Sequence, residues 1–224
     1  ERELKAQLND SGSETIIIAE NFASNLQSIL KETSIKNILI TSVGEFLGLK
    51  GIMINFVLRR IRKMVPKYSL PNAVNFKDAI NIGAKHKFKE QKIDKEDIAF
   101  LQYTGGTTGG VKAAILSHRN VLANAIQVRE WLGENLKFGE DLAICALPLY
   151  HIFALTCNSV VYFYFGANNI LITNPRDIPG FIKILKKYKF TFISGVNTLF
   201  NKLLEDKNFK ECDFSKLNIT IAGG

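Results

Sequence analysis

Apolar residues recur along this chain in two alternating rhythms. Short apolar runs of strand length, such as TIIIA over Thr15–Ala19 and NILIT over Asn37–Thr41, are separated by stretches whose apolar positions return at helical spacing. The pattern predicts a helix near Glu1–Leu8, a strand at Thr15–Ala19, a helix over Ala23–Lys31 and a strand at Asn37–Thr41. After a basic insertion come a strand at Ile98–Tyr103, an apolar run at Ala113–Leu116 and a helix from Ser117 to Trp131, with Ser117 as its cap. The remaining strands are predicted at Leu142–Ala146, Asn169–Thr173, Phe190–Ser194 and Asn218–Ala222. Helices over Phe153–Phe165, Ile178–Tyr188 and Thr198–Glu205 connect them. Strands alternating with helices argue for an α/β fold of mostly parallel sheets flanked by helices. Ligands in such folds sit beyond the carboxyl ends of the strands.

Composition supports a folded core: 46% of the 224 residues are hydrophobic and only five are proline. Cys145, Cys157 and Cys212 form no C-x-x-C pair, and the apolar neighbours of Cys145 and Cys157 mark them as core thiols of a reducing compartment. The longest apolar run, Ile152–Phe165, is 14 residues long, which is too short to cross a bilayer.

Charge adds something the rhythm does not show. The net +8 is concentrated: residues 50–92 hold eleven Lys or Arg against Asp78 and Glu90, a net +9, which leaves −1 for the rest. Within this stretch, 48–66 reads as one amphipathic helix. Leu49, Met53, Phe56, Val57, Ile61 and Met64 recur on one side, and Arg59, Arg60, Arg62 and Lys63 bunch near its end. One reading is peripheral contact with an anionic membrane. The other is a helix packed on its own domain with cations at its C-terminus, where the helix dipole favours them. No interleaved aromatic or groove-reading motif points to nucleic acid.

The densest chemistry lies in YTGGTTGGVK, Tyr103–Lys112. Glycines let backbone N–H groups approach phosphate oxygens, and hydroxyls and one ammonium add donors, so the loop is suited to a polyphosphate. It fails as the P-loop of NTPases, because Val111 stands where lysine must and Ala113 where Ser or Thr must. No G-x-G-x-x-G opens a helix after a strand, as a dinucleotide fold requires.

The loop resembles the signature of adenylate-forming (AMP-binding) enzymes, [YF]-T-x-G-[ST]-T-G-x-x-K. With SHRNVLANAIQ (Ser117–Gln127), ALPLYHIFALT (Ala146–Thr156), NILITNPRDIP (Asn169–Pro179) and ISGVNTLFN (Ile193–Asn201), the chain resembles bacterial long-chain fatty-acid–CoA ligases throughout. The resemblance implies an interior portion of the large N-terminal domain, with the C-terminal domain absent. Residues 1–170 would form one sheet subdomain with a basic insertion at 48–92, and 171–224 would begin the next. It also implies ATP-dependent conversion of a long-chain fatty acid to acyl-AMP, then to acyl-CoA, with Mg2+ as cofactor and ATP and CoA as co-substrates. The cysteines place the expected location in the cytoplasm, and the basic stretch at 48–66 leaves peripheral contact with the cytoplasmic membrane open.

By the same resemblance, Thr104, Gly105, Gly106, Thr107, Thr108, Gly109 and Lys112 hold the ATP phosphates, with Thr107, Thr108 and Lys112 assisting catalysis and Thr104 as a hydroxyl contact to Mg2+. Tyr150 and His151 are expected to wall the acyl chain from the adenylate. Gly195, Val196, Asn197 and Thr198 would line the acyl tunnel, and Gly223–Gly224 would begin the segment against adenine. Simple helix capping is the other reading of Asn197. His86 and His118 receive no role. Two departures stand out: Ala113 replaces a usual glycine, and Gly110–Val111 replaces a pair that often ends in proline. An alanine methyl is tolerated there if the position has negative φ. Two alternatives stay open: an adenylating enzyme with another acyl acceptor, and a non-catalytic membrane or interaction relative. The segments for the thioester half-reaction lie outside these 224 residues, so the isolated chain is expected to be inactive.

Overall fold

A computed structural model describes residues 1–104 and 112–223. The chain divides into two compact units, 1–93 with 103–114 and 94–102 with 115–224. In the first unit, α1 (Arg2–Ser11) is closed by Gly12, whose left-handed φ of 61° suits a residue without Cβ. β1 (Thr15–Ala19), α2 (Ala23–Ile29) and β2 (Asn37–Thr41) follow. β1 and β2 run parallel, with Ile16 beside Ile38 and Ile18 beside Ile40. Leu8, Ile18, Leu26, Ile29, Ile38 and Leu70 bury this unit's core.

Residues 48–92 are more than an insertion. α3 (Gly48–Phe56) continues as a π-helical turn, Val57–Ile61. β3 (Ala73–Asn75) then adds a third parallel strand beside β2, and Asn75 caps α4 (Phe76–Gly83) by accepting the Lys77 N–H at 3.0 Å. The helix predicted over 48–66 therefore stops early. Lys63 takes a left-handed φ of 51°, and the Met64 N–H returns to Leu58 O at 2.9 Å. A three-residue strand inside a basic stretch carries too weak an alternation to be read from sequence.

β4 (Ile98–Thr104) and β5 (Lys112–Ser117) pair as a two-stranded sheet. Ser117 then starts α5 (His118–Leu132) with a capping box. Its Oγ accepts the Asn120 N–H at 3.3 Å, and its own N–H donates to Asn120 Oδ1 at 2.9 Å.

The second unit is built on four parallel strands in the order β7-β6-β8-β9. They are β6 (Leu142–Cys145), β7 (Asn168–Leu171), β8 (Phe192–Gly195) and β9 (Ile219–Ala222). The central pair, LAIC and FISG, is buried nearly along its whole length and apolar apart from Ser194, because helices cover both faces of a parallel sheet. Between β6 and β7 runs a helical stretch of α6 (Ile152–Ala154), a π-helical segment (Leu155–Val161) and α7 (Tyr162–Tyr164). α8 (Ile178–Leu185) is capped by Asp177, which accepts the Gly180 N–H at 3.1 Å, and α9 (Asn197–Glu205) follows β8. The subdomain change expected at 170/171 falls inside β7, and the strands on either side of it belong to one sheet. An edge strand gives no sign in its own sequence of which sheet it joins.

Cys145, Cys157 and Cys212 are buried free thiols, as the apolar neighbours of the first two suggested. Among the described residues, no helix is long and apolar enough to cross a membrane.

Candidate functional site

All four strands of the parallel sheet deliver residues to one place. Beyond their carboxyl ends lies a 410 Å³ cavity. β6 leads into Ala146, Leu147, Pro148 and His151, β7 into Pro175 and Arg176, β8 into Val196 and Thr198, and β9 into Gly223. Parallel strands end on the same side, so their following loops converge there whatever their separation in sequence.

His151 is held by its own helix start. Its N–H donates to Pro148 O at 2.9 Å, and its Nδ1 accepts the Phe153 N–H at 3.3 Å. An accepting Nδ1 carries no proton, so the neutral ring keeps its proton on Nε2 as a donor. Phe153 forms the adjoining wall. A Cβ on Gly223 would lie 3.2 Å from the Phe153 ring, so glycine at this position lets β9 approach it closely. Gly195 is not part of the lining; a Cβ there would lie 3.0 Å from the Phe200 ring. The Gly223 N–H donates to Gly195 O at 3.1 Å and extends the β8–β9 ladder to the cavity.

Among the described residues, the lining carries cations and no carboxylate. Arg176 and Lys202 are exposed, and neither forms an ion pair among the described residues. An anionic group entering the apolar cavity would therefore meet positive charge without having to displace a carboxylate. The nearby Cys145 is a poor nucleophile: burial pushes its thiol up, and the S–H donates to Leu147 O at 3.5 Å.

Among the residues expected here, His151, Val196, Thr198 and Gly223 line the cavity. Tyr150 does not. Its side chain is 82% exposed, and its carbonyl accepts from Gln102 Nε2 at 3.4 Å, away from the lining. The Tyr150 ring points to solvent while the His151 ring faces the cavity, so the two do not share a wall. Asn197 is exposed in the first turn of α9 and does not cap it, since Val196 occupies the N-cap position without a side-chain bond. Thr104 ends β4 and Lys112 begins β5, both exposed. Gly105, Gly106, Thr107, Thr108, Gly109 and Gly224 lie outside the described residues. Ala113 is accommodated: Lys63 is the one non-glycine residue with positive φ among the described residues, so Ala113 needs no glycine backbone.

Sequence reading missed Phe153, Arg176 and Lys202. Arg176 follows the end of β7 by five positions, and Lys202 stands one helical turn after Thr198, so the strand-end rule extended by one turn would have found both. It also missed a larger apolar cavity of 580 Å³ beside α5, the π-helical segment and β7. Two of its polar groups satisfy each other, with Asn158 Nδ2 donating to Asn169 Oδ1 at 3.1 Å and Asn169 Nδ2 donating to Asn158 O at 2.9 Å. With its amides already paired and no charged side chain among the described residues of its lining, it is the weaker candidate for chemistry.

The family model for the AMP-binding enzyme matches residues 1–224. The long-chain-fatty-acid–CoA ligase of Salmonella typhimurium is 50% identical over all 224 residues, and the chain spans 40% of that relative's length. Among solved structures, an anthranilate–CoA ligase in complex with anthranoyl-AMP superposes with a TM-score of 0.74 at 18% identity, over 99% of this chain and 38% of that one. A long-chain-fatty-acid–CoA ligase of Archaeoglobus fulgidus gives 0.66 at 23% identity, over 97% and 37%. At these identities the two structures speak for the fold, an α/β architecture shared with adenylate-forming enzymes. The family match over its full length means that the chain belongs to the AMP-binding enzymes.

Proposed function

We propose that the protein carrying this chain is an ATP-dependent long-chain fatty-acid–CoA ligase. The observation that carries this reading is the 50% identity to such a ligase along the whole chain. The 410 Å³ apolar cavity at four strand ends, walled by His151 and Phe153, is consistent with it. In the first step a carboxylate oxygen attacks the α-phosphorus of ATP, forming the acyl–phosphate bond as the bond to pyrophosphate breaks. The CoA sulfur, giving up its proton, then attacks the acyl carbon, and the bond to AMP breaks. No base is needed for the first step, because the carboxylate is already ionised at neutral pH. In this reading the His151 Nε2–H and the Phe153 ring orient the acyl adenylate. Thr104, Thr107, Thr108 and Lys112 meet the phosphates, where fixed donors act by stabilising charge on the departing pyrophosphate.

Mg2+ would arrive with the nucleotide. The described residues do not make a site for it: Thr104 is a single exposed hydroxyl, and no group of three or more His, Cys, Asp or Glu among them could hold a metal.

The test uses the full-length protein with palmitate, ATP and Mg2+, following pyrophosphate and AMP with and without CoA. Palmitate-dependent pyrophosphate release, with turnover to acyl-CoA only when CoA is added, is the expected result. Lys112→Ala should slow pyrophosphate release by roughly 100-fold. Activity with another acyl acceptor in place of CoA, or none with any fatty acid in a folded protein, would overturn the assignment.

A further inference from the structure

The last turn of α1 carries a charge of the wrong sign. Helix C-termini favour cations, because unsatisfied carbonyls collect there, yet this turn has no basic residue and holds Asp10. Asp10 forms no ion pair among the described residues. It does not close the helix either, since the Gly12 N–H does so by donating to Asn9 O at 3.3 Å. Neither the helix nor a neighbouring cation accounts for a carboxylate at this position.

A hydrogen bond does. Asp10 Oδ2 accepts the Tyr103 hydroxyl at 2.7 Å, across 93 positions of sequence, and the same hydroxyl lies 3.3 Å from the Gln7 carbonyl. Gln7 and Asp10, three residues apart, share one face of the helix. The helix itself is a firm support. Leu8 is buried in the core of the first unit, Asn9 Nδ2 donates to Glu32 O at 3.0 Å, and Lys5 pairs with Glu32.

Tyr103 stands one residue before Thr104, where β4 ends. β4 and β5 form a sheet of two strands, which holds little direction of its own. Residues 103–114 nonetheless group with α1 in the first unit. Successive side chains of a strand point to opposite faces, so a Tyr103 side chain held on α1 turns the Thr104 hydroxyl away from the helix. A locally unfavourable charge kept for one bond to a strand end is expected where position matters more than stability. We propose that Asp10 is a positioning residue for the nucleotide: by holding the Tyr103 hydroxyl it fixes the end of β4, and with it the direction in which Thr104 meets the ATP phosphates. The inference rests on the reading of Thr104 as a phosphate contact under the proposed function.

The test is ATP binding to the full-length protein by titration calorimetry, beside pyrophosphate release with ATP and palmitate varied separately. Asp10→Ala should weaken ATP binding and raise the KM for ATP about 5-fold, with the KM for palmitate unchanged. Removing a negative charge would by itself act the other way, because ATP is an anion. The melting temperature of Asp10→Ala should hold or rise, since alanine suits a helix and the disfavoured charge is gone. Asp10→Asn, which keeps an acceptor oxygen, should retain most of the affinity. Tyr103→Phe should reproduce Asp10→Ala, and the double variant should be no worse than either, because both remove the same bond. Four results would overturn the proposal: unchanged ATP binding in Asp10→Ala, a lower melting temperature with equal losses for ATP and palmitate, Asn no better than Ala, or additive losses in the double variant. Calorimetry needs no turnover. A wild type that binds ATP but releases no pyrophosphate with any fatty acid would therefore sink the ligase reading alone, and the four variants would still decide the role of Asp10.

Discussion

Asn158→Leu should loosen the packing of the π-helical segment on the parallel sheet. Asn158 is 1% exposed in the π-helical segment and ties that segment to two strands. Its Nδ2 donates to Asn169 Oδ1 of β7 at 3.1 Å, and its Oδ1 accepts from Ser194 Oγ of β8 at 3.0 Å. Leucine, of similar size, removes both bonds. The third bond, from Asn169 Nδ2 to the Asn158 carbonyl, survives because it uses the backbone. Asn169 borders the 580 Å³ cavity, where water can replace its lost donor. Ser194 has no such recourse, since its residue is fully buried, and an orphaned hydroxyl costs ~1–3 kcal/mol. The expected loss is about 2 kcal/mol in the local opening free energy of β8, or roughly 30-fold faster hydrogen exchange at its amides. The assay is native-state hydrogen exchange on the full-length protein, which avoids assuming two-state unfolding of a multidomain chain. Adding Ser194→Ala to the Asn158→Leu variant should recover about half of the loss, because it removes the orphan. Exchange at β8 within about 2-fold of wild type would refute the reasoning, as would the absence of rescue.

Three further outcomes follow from the same structure. Ser117→Ala removes the hydroxyl that caps α5 and should cost about 1 kcal/mol, read as faster exchange in the first turn of α5, with Ser117→Asp restoring most of it. Arg176→Ala and Lys202→Ala should each raise the KM for an anionic substrate several-fold with little change in kcat, and steady-state kinetics with fatty acid and CoA varied separately would show which substrate meets each cation. The Asp213 carboxyl is lowered from its ordinary 3.8 to about 2 by the Ser215 hydroxyl and N–H and by Lys189. A lowered folded pKa contributes stability that is present above the unfolded value and is lost as pH falls through the folded one. Asp213→Asn should therefore remove a component of acid destabilisation between pH 3.8 and about 2, and an unchanged acid limb would show that the bonds to Ser215 and Lys189 contribute nothing to it.

Much of the fold could be read from the chain, for a physical reason. β1 and β2 occur where TIIIA and NILIT stand, and α5 begins at the serine expected to cap it, because strand period, β-branching and capping are local properties of neighbouring residues. β3 escaped because three residues are too few to show alternation, and their pairing partner, β2, is distant in sequence. The break at Lys63 escaped because nothing in a lysine announces a left-handed backbone.

The site divides along the same line. The sequence by itself determined the family, through a loop whose glycines, threonines and Lys112 together suit only a few chemistries, and it named His151, Val196, Thr198 and Gly223 as lining residues. Only the tertiary structure decided that Phe153, Arg176 and Lys202 join them and that Tyr150 does not, since convergence at strand ends depends on strand order in space. It also decided which side of α3 faces outward. A helical pattern specifies two opposite faces but not which of them meets the protein, and the close backbone contact of Gly44 with Gly51 and the Arg59–Glu20 pair place the apolar one in the open.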